Sequence, residues 1–306
     1  MSIIKNRKIF FALSGILIIG SIVAMLVYGF NLGIDFKGGS ILEVSYARGE
    51  IDDIASAQSS RPDLEKIKSD LDKLNLGNYI LTPSGENNYI LKTHEVTQTE
   101  KTTILNTLSK IASAKEEKFN SIGPVVGNEL KNKALLAIIL VIICIVLFIT
   151  FAFRKVSYPV ASWKYGLATI IALAHDVVIP TGVFVVFMHF SGGEIDLLFV
   201  TALLAILGYS VHDTIVVFDR VRENLHNTVK GETFEQTVGK SVTQTFGRSI
   251  NTSLTIFLAL IALYFVGGES TKDFAFVLLI GIITGTYSSI FVASPLLVTL
   301  EKLQKR

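Results

Sequence analysis

The sequence has few charged residues for its length. Only 18% of its 306 residues are Asp, Glu, Lys or Arg, whereas soluble proteins carry about a quarter. Hydrophobic residues make up 50% of the chain and are clustered in long runs, with a mean hydropathy of +0.53. This pattern excludes an ordinary soluble domain and predicts an integral membrane protein.

The sequence also has a single cysteine and a small net charge. Cys144 is the only cysteine, which excludes an intrachain disulfide framework, and its place in an apolar run indicates a packing residue. The formal net charge of +2 is too small to argue for a nucleic-acid partner. The sequence also lacks internal repeats and any catalytic or metal-binding pattern. We therefore expect no enzyme activity, no metal and no cofactor.

Six segments are long and apolar enough to cross a bilayer, which takes about 20 residues per helix. The first follows three basic residues, as in a signal peptide. Its apolar run is too long for one, however, and YGFNLGIDF is a poor cleavage site, so we interpret it as an uncleaved anchor. The predicted spans are roughly Ile9–Phe30, Ala134–Phe153, Gly166–Phe190, Leu197–Phe218, Ser249–Val266 and Phe274–Leu300.

Lysine and arginine in the short loops predict the orientation of the spans, because cytoplasmic loops are enriched in them. They occur before span one, between spans two and three, between spans four and five, and after span six. Both termini are thus predicted to be cytoplasmic, as is a loop at about 219–247. The predicted domains are 1–30 (N-terminus and span one), 31–130 (extracytoplasmic) and 131–306 (spans two to six).

The extracytoplasmic segment has the pattern of a small α+β domain. Two amphipathic helical segments, 62–76 and 97–114, alternate with apolar strand segments at 41–46, 78–83, 88–93 and 118–122. The resulting order, βαββαβ, is that of a ferredoxin-like domain.

Ionisable residues lie inside, or directly at the inner end of, three neighbouring spans. Asp213, Arg248 and Asp176 are about 24, 27 and 21 Å from the outer ends of their spans at 1.5 Å per residue. His175 and His212 lie at the same depth. A charge in a bilayer costs roughly 2.5–3.5 kcal/mol on insertion scales, which favours a functional role. We expect a buried cluster in which Asp213 binds and releases a proton. The alternatives are an Asp–Arg pair that only fixes helix packing, and an Arg248 that extends to the membrane surface.

Five motifs are distributed along the chain: GIDFKGG (33–39), GPVVGNEL (123–130), GYSVHDTIVVFDRVREN (208–224), TQTFGRSINTSLT (243–255) and GTYSSIFVASPL (285–296). The first, just after span one, contains Gly33, Ile34, Asp35, Phe36, Gly38 and Gly39. Together the motifs resemble those of the SecD/SecF family of protein-export proteins. They occur in the family's order and cover most of the chain, and the roughly 100-residue extracytoplasmic segment favours the SecF branch over the larger SecD.

The resemblance implies a function in protein export. Members of this family pair with SecD into a twelve-span unit related to the RND transporters, and this chain would supply one half. Its partners would be SecD, the SecYEG translocon and the exported polypeptide, with YajC and YidC as further candidates, in the bacterial cytoplasmic membrane. Flow of H⁺ or Na⁺ would drive movement of the extracytoplasmic domains. The family's intramembrane acid and base fall on Asp213 and Arg248. His212 departs from the family's usual Asn, which leaves its part in ion transfer open.

Three other functions are consistent with parts of the sequence. Half of a small-molecule RND exporter would have a similar set of spans, although such exporters carry twelve spans and two large domains in one chain. An intramembrane aspartyl protease would use Asp176 and Asp213, although its YD and GxGD motifs are absent here. A scaffold of the translocon would need no intramembrane charge.

Overall fold

The structure is a computed structural model that describes residues 2–46, 62–154, 160–227 and 231–304. It divides into two compact units, Leu32–Ala134 and the two flanking segments together; the predicted domain was 31–130. In chain order the described elements are α1 (Ser2–Lys5), α2 (Arg7–Tyr28), α3 (Ile34–Lys37), β1 (Gly39–Tyr46), α4 (Leu64–Asp72), β2 (Ile80–Ser84), β3 (Asn88–Thr93), α5 (Gln98–Ile111), β4 (Ala114–Ile122), α6 (Pro124–Ala152), α7 (Ser162–Ser191), α8 (Leu197–His226), α9 (Phe234–Val266), α10 (Glu269–Ser288), a π-helix (Ser289–Ala293) and α11 (Ser294–Gln304).

The smaller unit is built on a four-stranded sheet. Its strand order is β2-β3-β1-β4, and all neighbouring strands are antiparallel. Alternating side chains of the central strands point to one face and are buried with the apolar sides of α4 and α5, because strand side chains alternate between faces. The predicted small α+β domain with βαββαβ order is confirmed. Its core consists of Leu42, Val44, Tyr46, Ile67, Leu71, Leu76, Leu81, Tyr89, Leu91, Val96, Ile104 and Leu108.

Three elements of this unit differ most from their predicted bounds, whereas the ends of β1 and β2 differ by two residues or fewer. Helix α4 ends at Asp72 instead of continuing to residue 76, and Asn75 shortly after it has a left-handed backbone with φ of 53°. Strand β4 starts at Ala114 instead of residue 118, since charged side chains are tolerated on an edge strand. The predicted helix 97–114 is shorter, with Thr97 as its N-cap in a capping box with Glu100.

The larger unit is a bundle of the predicted spans. Among the described residues, six helices are long and apolar enough to cross a membrane, which confirms the expected polytopic helical architecture. The sixth runs without interruption through α10, the π-helix and α11. Helices α7, α8 and α10 are the most buried, whereas α2, α6 and α9 expose most of their apolar residues.

Glycines allow two of the closest helix crossings in the bundle. A Cβ on Gly281 of α10 would overlap the side chain of Ile206 on α8, and one on Gly285 would lie 3.1 Å from Ser210 Cβ. A Cβ on Gly182 of α7 would overlap Ser21 of α2. Small residues permit such backbone approach between membrane helices. The sequence therefore brings α8 and α10 together at the turn that carries Ser210.

The predicted polar loop at 219–247 is largely helical. Helix α8 continues to His226, and α9 begins at Phe234 after a capping box formed by Thr233 and Gln236. A hydrogen bond joins the two helices in this segment: Arg220 Nε of α8 donates to Gln244 Oε1 of α9 at 2.7 Å. Helices α8 and α9 are thus longer than the spans that hydropathy indicates.

Candidate functional site

Asp213 of α8 accepts a hydrogen bond from a hydroxyl group of α9. Its side chain is only 6% exposed, and Ser249 Oγ donates to its Oδ1 at 2.6 Å. The other carboxylate oxygen, Oδ2, is buried and has no hydrogen-bond partner among the described residues. A buried carboxylate with a free oxygen is an unusual arrangement, because unsatisfied buried polar groups cost free energy. It leaves a position at which a proton or cation can bind.

Asp176 lies in a second, fully buried site on α7. It accepts hydrogen bonds from Ser210 Oγ on α8 and from Ser288 Oγ on α10, the latter at 2.6 Å. His175 Nδ1 lies 2.8 Å from its Oδ1, and the imidazole stacks on Tyr287. His175 Nε2 is buried and has no partner in the described parts of the chain. Three helices thus meet at this one carboxylate.

Both acids are reached from one polar turn of α8. Ser210 binds Asp176, Asp213 binds Ser249, and Thr214 Oγ1 lies 3.0 Å from Ser289 Oγ in the π-helix. Positions 210, 213 and 214 follow the three- and four-residue spacing of one helix turn, which lets them face different neighbouring helices. The turn therefore ties α8 to α7, α9 and the sixth span at one level.

Two irregularities in the helices lie next to these acids. Pro180 in α7 has no N–H to donate to the carbonyl of Asp176, four residues earlier, and proline kinks helices for this reason. The π-helix begins at Ser289, directly after Ser288, and π turns often mark functional sites. Both features allow local backbone adjustment around Asp176.

Several residues of the site were missed from the sequence alone. Ser249, Ser288 and Ser289 contact the acids or the turn that carries them. Ser253 bridges Tyr209 of α8 and Thr286 of α10, with oxygen separations of 2.7 and 2.6 Å. The signal was the three- and four-residue spacing of Ser and Thr in the fifth and sixth spans, which places hydroxyls on one helix face.

Arg248 and His212 do not join the buried cluster that the depth comparison predicted. Both are exposed, and no ion pair joins Arg248 to Asp213, although both side chains lie close enough to Asp213 to interact with its charge. Depth along a helix does not fix rotation about its axis, so residues at one level can face different ways. The two acids and His175 are therefore buried inside the bundle, while Arg248 and His212 lie on its surface.

The two acids also do not form a catalytic dyad. Asp176 bonds to His175, Ser210 and Ser288, whereas Asp213 bonds to Ser249. An aspartyl protease needs two carboxyl groups that share a proton. The described residues hold no group of three or more His, Cys, Asp or Glu side chains able to bind a metal ion.

The motif at 33–39 forms a short helix and a turn in the smaller unit. Residues Ile34–Lys37 are α3, and Phe36 is buried at its centre. Gly38 N donates to Ile34 O at 2.8 Å, and β1 starts at Gly39. The motif thus lies in the smaller unit, whereas both acids lie in the larger one.

Comparison with known proteins places the chain in a family. Residues 101–303 match the model of the C-terminal part of the protein export membrane proteins SecD and SecF, and residues 23–49 match the SecD/SecF GG motif. The SecF protein translocase subunit of Thermobaculum terrenum is 42% identical, over 98% of this chain and 94% of that protein. The one from Sebaldella termitidis is 38% identical, over 100% and 93%.

The fold agrees with this similarity. The crystal structure of SecDF, a translocon-associated membrane protein from Thermus thermophilus, matches with a TM-score of 0.80 and 29% identity, over all of this chain and 39% of that chain. A SecDF structure in a super-membrane-facing form matches with a TM-score of 0.64 and 28% identity, over 98% of this chain and 38% of that chain. The chain therefore belongs to the SecD/SecF family of protein-export membrane proteins, as a SecF-type, multi-pass translocase subunit of the Sec export system.

Proposed function

We propose that this chain pairs with SecD and uses an ion gradient to promote the movement of exported polypeptides across the bacterial cytoplasmic membrane. The coupling ion is a proton, with Na⁺ as the alternative. Its further partners are the SecYEG translocon and the exported chain, with YajC and YidC as additional candidates. Both termini are cytoplasmic, and the α+β domain lies outside.

The arrangement of Asp213 carries this proposal. A carboxylate that serves only to fix helix packing has both oxygens satisfied, because the unpaired state is costly in a membrane. Here Ser249 satisfies one oxygen, and no group within the described ranges satisfies Oδ2. Uptake of a proton at Oδ2 removes the charge and breaks no hydrogen bond. Loss of the proton restores the charge, and the packing around the turn responds.

Asp176 and His175 are proposed to assist this step from inside the bundle. Their bonds reach α8 and α10 through Ser210 and Ser288. A change in the position of α8 therefore alters the surroundings of Asp176. This link supports a coupled response of both acids, with Asp213 as the primary site.

The outer face of α8 supports the partnership with SecD. Thr201, Ala205, Gly208 and His212 are exposed at four-, three- and four-residue spacing. Small residues on one helix face suit the close approach of another membrane helix. Arg248 is exposed on the adjacent helix. A partner bundle on this side would cover both His212 and Arg248, which is the role we propose for them.

Export of a reporter protein, with and without an ion gradient, tests the proposal. Asp213→Asn keeps the side-chain volume and removes the titratable charge, so we expect the gradient-dependent part of export to disappear while SecD still copurifies. Asp219→Asn, an exposed acid on the same helix, is the control and is expected to behave as wild type.

Selective collapse of the proton or the Na⁺ gradient identifies the coupling ion. If export stimulation is lost only when the Na⁺ gradient is dissipated, Na⁺ and not the proton is the coupling ion. Normal gradient-dependent export by Asp213→Asn would show that Asp213 is a packing residue and that the ion is coupled at another group.

A further inference from the structure

The turn at Gly38 and Gly39 adopts a backbone that favours glycine. Their φ angles are +80° and +133°, a region that residues with a side chain rarely adopt. The turn joins α3 to β1, and Gly38 N closes α3 by its bond to Ile34 O. Conformation alone therefore accounts for glycine here, but it does not account for how closely the turn is packed.

Backbone atoms from two directions close off the space around this turn. A Cβ on Gly38 would lie 2.8 Å from both Cα and N of Pro124, and a Cβ on Gly39 would lie 2.7 Å from the carbonyl oxygen of Thr93. Pro124 is the first residue of α6, and Thr93 is the last residue of β3. Backbone atoms cannot rotate away as a side-chain end can, so neither position has room for a methyl group.

A third glycine, Gly127, meets the turn from the first turn of α6. A Cβ on Gly127 would lie 2.9 Å from Gly38 N and 3.2 Å from the carbonyl carbon and oxygen of Phe36. Gly127 has ordinary helical geometry, so its backbone conformation does not require glycine, and alanine would stabilise the helix more than glycine does. Close approach to the 33–39 segment is thus the reason that a glycine suits this position.

We infer that the segment 33–39 is a positioning joint that holds the first turn of α6 against the sheet of the extracytoplasmic domain. Helix α6 continues without a break from Pro124 to Ala152, through the apolar run of the second span. Backbone contact with the 33–39 segment ties the first turn of this helix to the domain. With the proposed function, on which this last step rests, the joint passes movement between the domain and span two.

Hydrogen exchange of the full chain tests the joint independently of export. Gly127→Ala should accelerate exchange of the backbone amides in residues 33–40 by at least about tenfold, because the new methyl group separates the contact. Gly20→Ala is the control, since a Cβ at this position of α2 has no heavy atom within 4 Å.

Gly38→Ala should have the same effect as Gly127→Ala. Its control is Gly85→Ala, which also has a positive φ but open space around it. Unchanged exchange at 33–40 in both test variants would overturn the joint.

A second pair of variants tests transmission without touching the contact. Lys131→Gly/Lys133→Gly destabilises α6 just after the joint, because glycine is a poor helix former. Lys131→Ala/Lys133→Ala removes the same charges and the same ion pair of Lys133 with Glu129 but preserves the helix. We expect the glycine pair to lose gradient-dependent export and the alanine pair to retain it.

Equal export by the two pairs would overturn transmission through α6. Wild-type export that does not respond to any ion gradient would instead defeat the proposed function. The exchange result at residues 33–40 would then still decide whether the joint exists.

Discussion

At the scale of single residues, the acids differ in how completely they are bonded. Asp176 has three partners from its own and two other helices, which is what a buried structural carboxylate requires. Asp213 has one partner and a buried oxygen that is not satisfied within the described residues. The less satisfied acid is the better candidate for a group whose charge changes during function.

We predict that Asp213 couples more strongly to Ser249 than to Arg248. In double-mutant cycles with Asp213→Leu, Ser249→Ala should give a coupling energy of about 0.5–2 kcal/mol, the range found for interhelical hydrogen bonds in membranes. Arg248→Leu should give a smaller one, because no ion pair joins the two side chains in this structure. Thermal unfolding of the purified protein in detergent measures both cycles.

A strong Asp213–Arg248 coupling would contradict this expectation. It would mean that the two residues meet in another state of the chain and that the pairing first expected from their depths is real. Near-additive losses for Asp213 and Ser249 would instead show that the hydrogen bond between them contributes little to stability.

At the scale of helices, the crossing of α2 and α7 depends on a glycine. A Cβ on Gly182 would overlap Ser21 and would lie 2.5 Å from its Cα. We predict that Gly182→Ala lowers the free energy of unfolding by about 1–3 kcal/mol, the range for an overpacked core. Thermal unfolding measures the loss, and Gly20→Ala, with open space around it, should have no comparable effect.

Relief of the crowding should reverse part of this loss. Ser21→Gly removes the overlapping side chain but leaves the close Cα, so the double variant should recover only part of the stability. Equal losses for Gly182→Ala and Gly20→Ala would show that helix crossing at this point is looser than the structure indicates.

At the scale of the whole molecule, the orientation in the membrane decides on which side the α+β domain lies. Loop charges predict that residues 31–130 are outside. Ser84 is buried at the end of β2, whereas Glu86 in the hairpin turn is exposed and suits labelling. In a variant without Cys144, Glu86→Cys should react with a membrane-impermeant thiol reagent added to intact cells.

The same thiol reagent also shows whether the predicted topology is wrong. Reaction only after the cells are lysed would place the α+β domain in the cytoplasm and reverse the predicted topology. A cysteine at Asn227, which is exposed just after the end of α8, is the matched control and should react only after lysis.

The sequence alone determined the features that depend on local patterns. Long apolar runs specify the spans, alternation specifies the strands, and the order of elements specifies the βαββαβ domain. The acids at 176 and 213 were recognisable because a charge inside an apolar run is costly wherever the helix points. The motif at 33–39 was visible as a motif, but its purpose was not.

Only the tertiary structure decided which groups meet. Ser249 and Ser288 bind the acids, and Arg248 and His212 lie outside, because helix rotation and packing fix contacts that linear depth leaves open. Gly127 and Gly38 are in close contact although they are far apart in the chain. Gly38 precedes the first strand of the sheet in the sequence, and Gly127 follows the last. Such contacts depend on the simultaneous packing of several elements, and no local pattern in the sequence encodes them.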